Sequence, residues 1–128
     1  PLNILDTRLI DTAWAEKLAA RDVELHTRST FLQGLLLMNA CQRPARFDRF
    51  SDVWKCWDSW LQESGLSPLQ ACLRYVLSQP GVTKVVVGVD SLAHLQDIVA
   101  AAAGVLQSKP SWPAIDPMLI NPSLWGSL

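Results

Sequence analysis

The sequence has no long apolar run, no paired cysteines and very little histidine. No apolar segment approaches the roughly 18–20 residues that a membrane-spanning helix needs. No basic segment leads into a short apolar run, so no secretory leader is expected in this stretch. The three cysteines, Cys41, Cys56 and Cys72, are odd in number and irregularly spaced. Without a CxxC pair or a Cys/His cluster of zinc spacing, they support neither a disulfide framework nor a zinc site. They read as free thiols in a reducing compartment, which implies a cytoplasmic protein. The 11 basic and 12 acidic residues leave a formal net charge of −1, and no basic block interleaves with aromatics. That excludes a nucleic-acid-binding face. His26 and His94 are the only histidines. Neither lies in HExxH, and no GxSxG elbow or GxxxxGK[ST] loop is present. By motif alone the chain holds no catalytic centre.

What is present is an α/β pattern. The chain has 128 residues, 49% of them hydrophobic, enough for one modest domain with a core. "LNIL" at residues 2–5 reads as a buried strand. "TAWAEKLAAR" at 12–21 reads as a helix capped by Asp11 or Thr12, with Trp14, Ala15 and Leu18 on its buried stripe. "VELHT" at 23–27 reads as a second strand. Short connections between these elements are the mark of a parallel sheet. The chain opens on this apolar segment at Pro1 with no initiator methionine, so it reads as a piece of a longer protein.

The stretch "HTRSTFLQGLLLM" at 26–38 carries an arginine, small hydroxyl residues and a glycine among large apolar residues. After it, "NACQRPARFDRFSD" reads as an irregular, solvated loop in which Arg43, Arg46 and Arg49 mix with Asp48 and Asp52. Phe50, Val53, Trp54, Trp57, Trp60 and Leu61 follow steps of three and four, which predicts a helix over 51–64 with Gly65 as its stop. Tryptophans at this spacing belong to a core or an interface. Ser67 and Pro68 open the next helix, whose face is Leu69, Cys72, Leu73, Val76 and Leu77. "KVVVGV" at 84–89 is too continuous for a half-exposed strand and suits one buried on both faces. A helix capped by Ser91 follows. The tail 107–128 has four prolines and no period, and reads as an extended segment pinned by Trp112 and Trp125.

In α/β folds ligands bind at the carboxyl ends of the strands. Two stretches lie there, "HTRSTFLQG" and "VVVGVDSLAHLQD". The helix start at Ser91 offers unpaired N–H groups to an anion, and Gly88 permits close approach.

Read together, these stretches resemble the C-terminal part of the aldo-keto reductase family. "STFLQGLL" at 29–36 is similar to a family segment such as "SPLAGGLL". "GVDSLAHLQDI" at 88–98 is similar to the last family strand and helix, as in "GASNAEQLMEN". The helix–strand run "GLSPLQACLRYVLSQPGVTKVVVGV" lies between them. "PLNILDTR" resembles the strand before these, and "LINPSLW" the ends of some members. The resemblance implies the C-terminal portion of a (β/α)8 TIM barrel, about three βα units plus a tail, with residues 1–106 forming the last units and 107–128 the tail. It implies an oxidoreductase that reduces aldehydes and ketones with NADPH.

The resemblance further implies that the catalytic Asp, Tyr, Lys and His, and the glutamine that holds the nicotinamide amide, precede Pro1. The chain alone is therefore expected to be inactive, with the missing N-terminal half as its partner and a carbonyl compound as the parent's substrate. Arg28 takes the position of a residue stacking on nicotinamide. Ser29, Phe31 and Gln33 take those near the diphosphate, and Gly34 matches the family glycine. Gly88, Asp90 and His94 take the segment around the adenosine 2′-phosphate. Asp97 takes the position of the Glu that meets adenine, and Ile98 that of an Asn. Many members grip the 2′-phosphate with Lys or Arg. The resemblance makes NADP the expected cofactor; Asp90 would repel a 2′-phosphate and suits a ribose hydroxyl, which leaves NAD possible. Two other readings are a non-catalytic, barrel-derived binding or regulatory protein, and a half-barrel that self-associates to complete its sheet.

Overall fold

Two short strands form the sheet of the computed structural model, which describes residues 1–128. They are β1, His26–Thr27, and β2, Lys84–Val85, parallel with His26 opposite Lys84 and Thr27 opposite Val85. The pairing extends beyond them. The Leu25 carbonyl accepts from the Thr83 and Lys84 N–H groups at 2.9 and 3.2 Å, and the Thr27 carbonyl accepts from Val86 N–H at 2.8 Å. The expected parallel sheet is thus present, with much shorter strands than the apolar runs predicted.

Residues 2–5 are buried, but they do not form a strand. Leu2 N–H donates to the Arg28 carbonyl at 3.0 Å, and the ladder stops there. The buried Asn3 is the reason. Its side-chain oxygen accepts from Leu5 N–H at 2.9 Å and Asp6 N–H at 2.8 Å, turning the chain away from β1. The next helix differs as well. It is split into α1, Arg8–Asp11, and α2, Trp14–Ala19, because Ala13 between them is left-handed at φ 56°. Ala15 is buried, whereas Trp14 is 54% exposed and carries Lys17 over its ring, so Trp14 is not a core residue.

α3, Ser51–Ser64, has its predicted bounds and ends on Gly65 at φ 67°. α4, Pro68–Leu77, starts with a reciprocal box in which the Ser67 hydroxyl accepts from Gln70 N–H and the Gln70 side chain accepts from Ser67 N–H. Its final residue, Leu77, is exposed rather than on the buried face. α5, Leu92–Ala102, is capped by Ser91 and packs against α4. The run 84–89 is not buried on both faces: Val86 is 56% and Val89 43% exposed. β2 has a strand neighbour on one side only, so Val86 and Val89 are left open, while Val87 between them packs against the cluster of Leu73, Ile98 and Ala101.

The core is organised by indoles. Trp57 is fully buried, stacks with Trp60 and Trp112, and donates to the Leu36 carbonyl at 3.3 Å. Trp54 donates to Phe47 at 2.9 Å, Trp112 to Ile4 at 3.0 Å and Trp125 to Leu119 at 3.1 Å. Each ring buries its apolar body and satisfies its one donor on a backbone carbonyl. Trp112 and Trp125 therefore pin the tail, as expected. The tail is not wholly extended, since it contains α6, Pro117–Ile120, and a 3-10 turn, Pro122–Ser127.

The 39–50 loop is less solvated than its charges predict. Residues Ala45–Phe50 form a 3-10 helix. The Arg43 side chain is buried, pairs through both terminal nitrogens with Asp58, and lies 4.7 Å from the Trp54 ring centroid. All three cysteines are free thiols. No helix is long and apolar enough to cross a membrane. Truncating Trp57→Ala should cost about 3–5 kcal/mol of stability, whereas Trp14→Ala should fall within about 0.5 kcal/mol of the parent. Urea unfolding followed by circular dichroism checks both, and equal losses would contradict this account of the core.

Candidate functional site

β1 and β2 end side by side, so the segments that leave them meet. They wall a cleft of about 560 Å³, within the roughly 300–1,000 Å³ typical of ligand sites. From the β1 side the lining includes Arg28, Ser29, Phe31 and Gln33, with Gly34 beside them. From the β2 side it includes Gly88, Asp90 and His94. Residues roughly 60 positions apart in sequence are thereby brought to one place by one pair of strands. Asp97 is exposed one helical turn beyond His94 and outside the cleft lining. Ile98 is turned inward, 7% exposed, and packs with Leu73 and Ala101. Its side chain supports α5 from the core, in place of the cofactor contact assigned to that position.

The turn after β1 has an unusual backbone. Ser29, Leu32 and Gln33 have φ of 67°, 48° and 55°, and Gly34 follows at 83°. Each non-glycine residue in this region costs roughly 1–2 kcal/mol. The cost is offset by burial of Leu32, Leu35 and Leu36 and by anchoring to the neighbouring segment, where Asn3 donates to the Ser29 carbonyl at 3.1 Å. Strain of this kind is characteristic of sites that hold ligands. The turn also contains Thr30, which lines the cleft at 1% exposure and whose hydroxyl has no hydrogen-bond partner. A buried hydroxyl left unsatisfied costs about 1–3 kcal/mol, so Thr30 is a polar group in want of a partner. The sequence reading passed over it, although it stands between two residues assigned to the site.

The β2 side presents a helix end. Ser91 Oγ accepts from His94 N–H at 3.1 Å and so performs the capping. Asp90 is not needed as a cap; it is exposed at the cleft with no salt-bridge partner. A Cβ built on Gly88 would meet nothing within 4 Å, so this side of the cleft is open. Phe31 packs against both the main core and the Leu73–Ile98–Ala101 cluster, and forms a rigid apolar floor between the two walls.

No proton relay lies at the cleft. The one tyrosine, Tyr75, is buried on α4, and burial pushes its hydroxyl up to about 12. His26 points away from the cleft lining and bonds Glu24 at 2.9 Å. The arrangement can bind and orient a ligand but supplies no tyrosine or paired histidine to protonate one.

These features define an α/β protein with a cleft at the carboxyl ends of its parallel strands. The sequence model of the aldo/keto reductase family matches residues 1–119, and the chain belongs to that family. It is a family of carbonyl-reducing oxidoreductases built as (β/α)8 barrels and generally using NAD(P)H. No curated protein matches the chain significantly.

Gly34 tests the turn. Its φ of 83° lies in the left-handed region, and an added Cβ there meets nothing within 4 Å, so the penalty is conformational alone. Gly34→Ala should cost about 1–2 kcal/mol. Gly88→Ala, with ordinary φ and open space, should be neutral or stabilising by up to about 1 kcal/mol. Thermal unfolding of the two variants measures the contrast, and equal changes would refute the assignment of strain to the first turn.

Proposed function

We propose that this chain is the cofactor-holding, C-terminal part of an aldo-keto reductase barrel, and that the cleft takes a nicotinamide dinucleotide. The observation that carries the reading is the convergence of the 28–34 and 88–94 segments on one cleft. In this reading residues 1–106 are the last βα units and 107–128 a tail that braces them. The orphaned Thr30 hydroxyl and the unpaired N–H groups at the start of α5 fit an anionic diphosphate. Ser29 and Gln33 line the same stretch. The Arg28 guanidinium is flat and fits against a nicotinamide ring. Asp90 and His94 face the adenosine end, with Asp97 extending that wall along α5.

The cofactor supplies a hydride to a carbonyl carbon when bound. These residues bind and orient it. The proton for the carbonyl oxygen comes from the Asp, Tyr, Lys and His of the barrel's earlier units. The alternative, a binding protein without catalysis, is favoured by one observation: the cleft has no tyrosine, and its one histidine, His94, makes no side-chain hydrogen bond. The two readings separate when the full-length protein is assayed for turnover as well as for cofactor affinity.

Asp90 sets the choice of cofactor. A carboxylate repels a 2′-phosphate and accepts a hydrogen bond from a ribose hydroxyl. Fluorescence titration of the full-length protein should give an NADH affinity at least equal to that for NADPH. Asp90→Ser should then raise the NADPH-over-NADH affinity ratio about tenfold, roughly the effect of 1.4 kcal/mol. A clear preference for NADPH in the parent protein would overturn the role given to Asp90.

A further inference from the structure

One cleft takes no part in the dinucleotide reading. It has a volume of about 370 Å³, and its walls are the end of α3, the side of α4 and the segment that leaves α5. It shares no lining residue with the cleft at the strand ends. Glu63 and Arg74 are the only charged residues in its lining. We infer that it is a second binding site, and that its ligand is a free α-amino acid with a large apolar side chain. Arg74 holds the carboxylate of that ligand and Glu63 its ammonium group.

Arg74 is a guanidinium fixed in advance. Its Nε donates at 3.1 Å to the Ala101 carbonyl, one of those that the last turn of α5 leaves without a helical partner. A Cβ built on Gly104 would stand 2.9 Å from Cζ and 3.2 Å from each Nη. Those distances put Gly104 over the flat face of the group, a place only glycine leaves free. One edge and one face of Arg74 are therefore held. Neither Nη has a partner in the protein, and both are open to solvent. Such a pair of N–H donors matches a carboxylate in a bidentate fork. Glu63 is exposed and also takes part in no ion pair, so the two charges share the cleft without closing on each other. Glu63 repels a simple anion and Arg74 a simple cation, whereas a zwitterion satisfies both. The rest of the lining suits an apolar body. Trp60 is half-buried and stacked on Trp57 at 5.6 Å, which fixes its ring. Trp54, Trp57, Trp112 and Trp125 each donate to a backbone carbonyl, but Trp60 makes no such bond, and its N–H is unused. Leu66 and Val105, the latter 77% exposed, add apolar surface that a bound side chain would cover.

Calorimetric titration of the full-length protein with L-phenylalanine, 3-phenylpropionate and 2-phenylethylamine tests the inference. The three share a ring, and the last two each lack one of the charges. L-Phenylalanine should bind with a Kd of about 1 mM or tighter, and at least about fivefold more tightly than either analogue, the scale of one charged hydrogen bond. Arg74→Gln should lower its affinity to that of 2-phenylethylamine. Glu63→Gln, at an exposed position that the fold does not depend on, should lower it to that of 3-phenylpropionate. No binding of L-phenylalanine at that strength, equal affinities for the three compounds, or an unchanged preference in Glu63→Gln overturns the inference. The nicotinamide reading stands or falls separately, since the two clefts have no residue in common.

Discussion

The parallel pairing of His26–Thr27 with Lys84–Val85 is the constraint on which the site depends. It joins chain segments separated by the whole 28–83 crossover, as parallel strands require. The hydrogen bond from Val86 N–H to the Thr27 carbonyl is the last rung before both chains leave the sheet. Beyond it one chain enters a strained turn and the other runs into a helix start, and the space between them is the cleft. Without this rung the two halves of the site have no fixed distance from one another.

The rest of the molecule braces the pair from one side. Leu2 and Asn3 fasten the 28–29 backbone. Trp57 fixes the Leu36 carbonyl just past the turn, and Trp112 ties the tail to Ile4. The opposite side of β2 is bare, and Val86, Val89, Leu92, Leu95 and Val99 leave apolar surface exposed along β2 and α5. A strand in a closed barrel has a neighbour on each side. β2 has one, which is why a sequence run suited to full burial is half open.

The helices were legible because their signals are local. The Ser67–Pro68 start, the Gly65 stop and the Ser91 cap are each set by one or two residues and act within one turn. The cleft was legible for the same reason that strand ends generally attract ligands, and the family resemblance named residues on both of its walls. What was not legible required tertiary information. The left-handed Ala13 that splits the first helix has no sequence signal. Asn3 ends a strand by turning its side chain back on its own backbone, which its apolar neighbours conceal. Arg43 looked solvated because the partner that lets it be buried, Asp58, lies on another element. Ile98 aligned with a polar position and yet faces the core.

The central claim is that the turn at 29–34 and the helix start at 91–94 together hold one dinucleotide. A crystal structure of the full-length protein with a bound nicotinamide dinucleotide tests it most directly. The account predicts diphosphate oxygens within hydrogen-bonding reach of Thr30 and the first N–H groups of α5, with the nicotinamide at Arg28 and the adenosine toward Asp90. A dinucleotide bound elsewhere, for example beside Trp60 and Arg74 on another face, or one lying in the reverse direction, would contradict it.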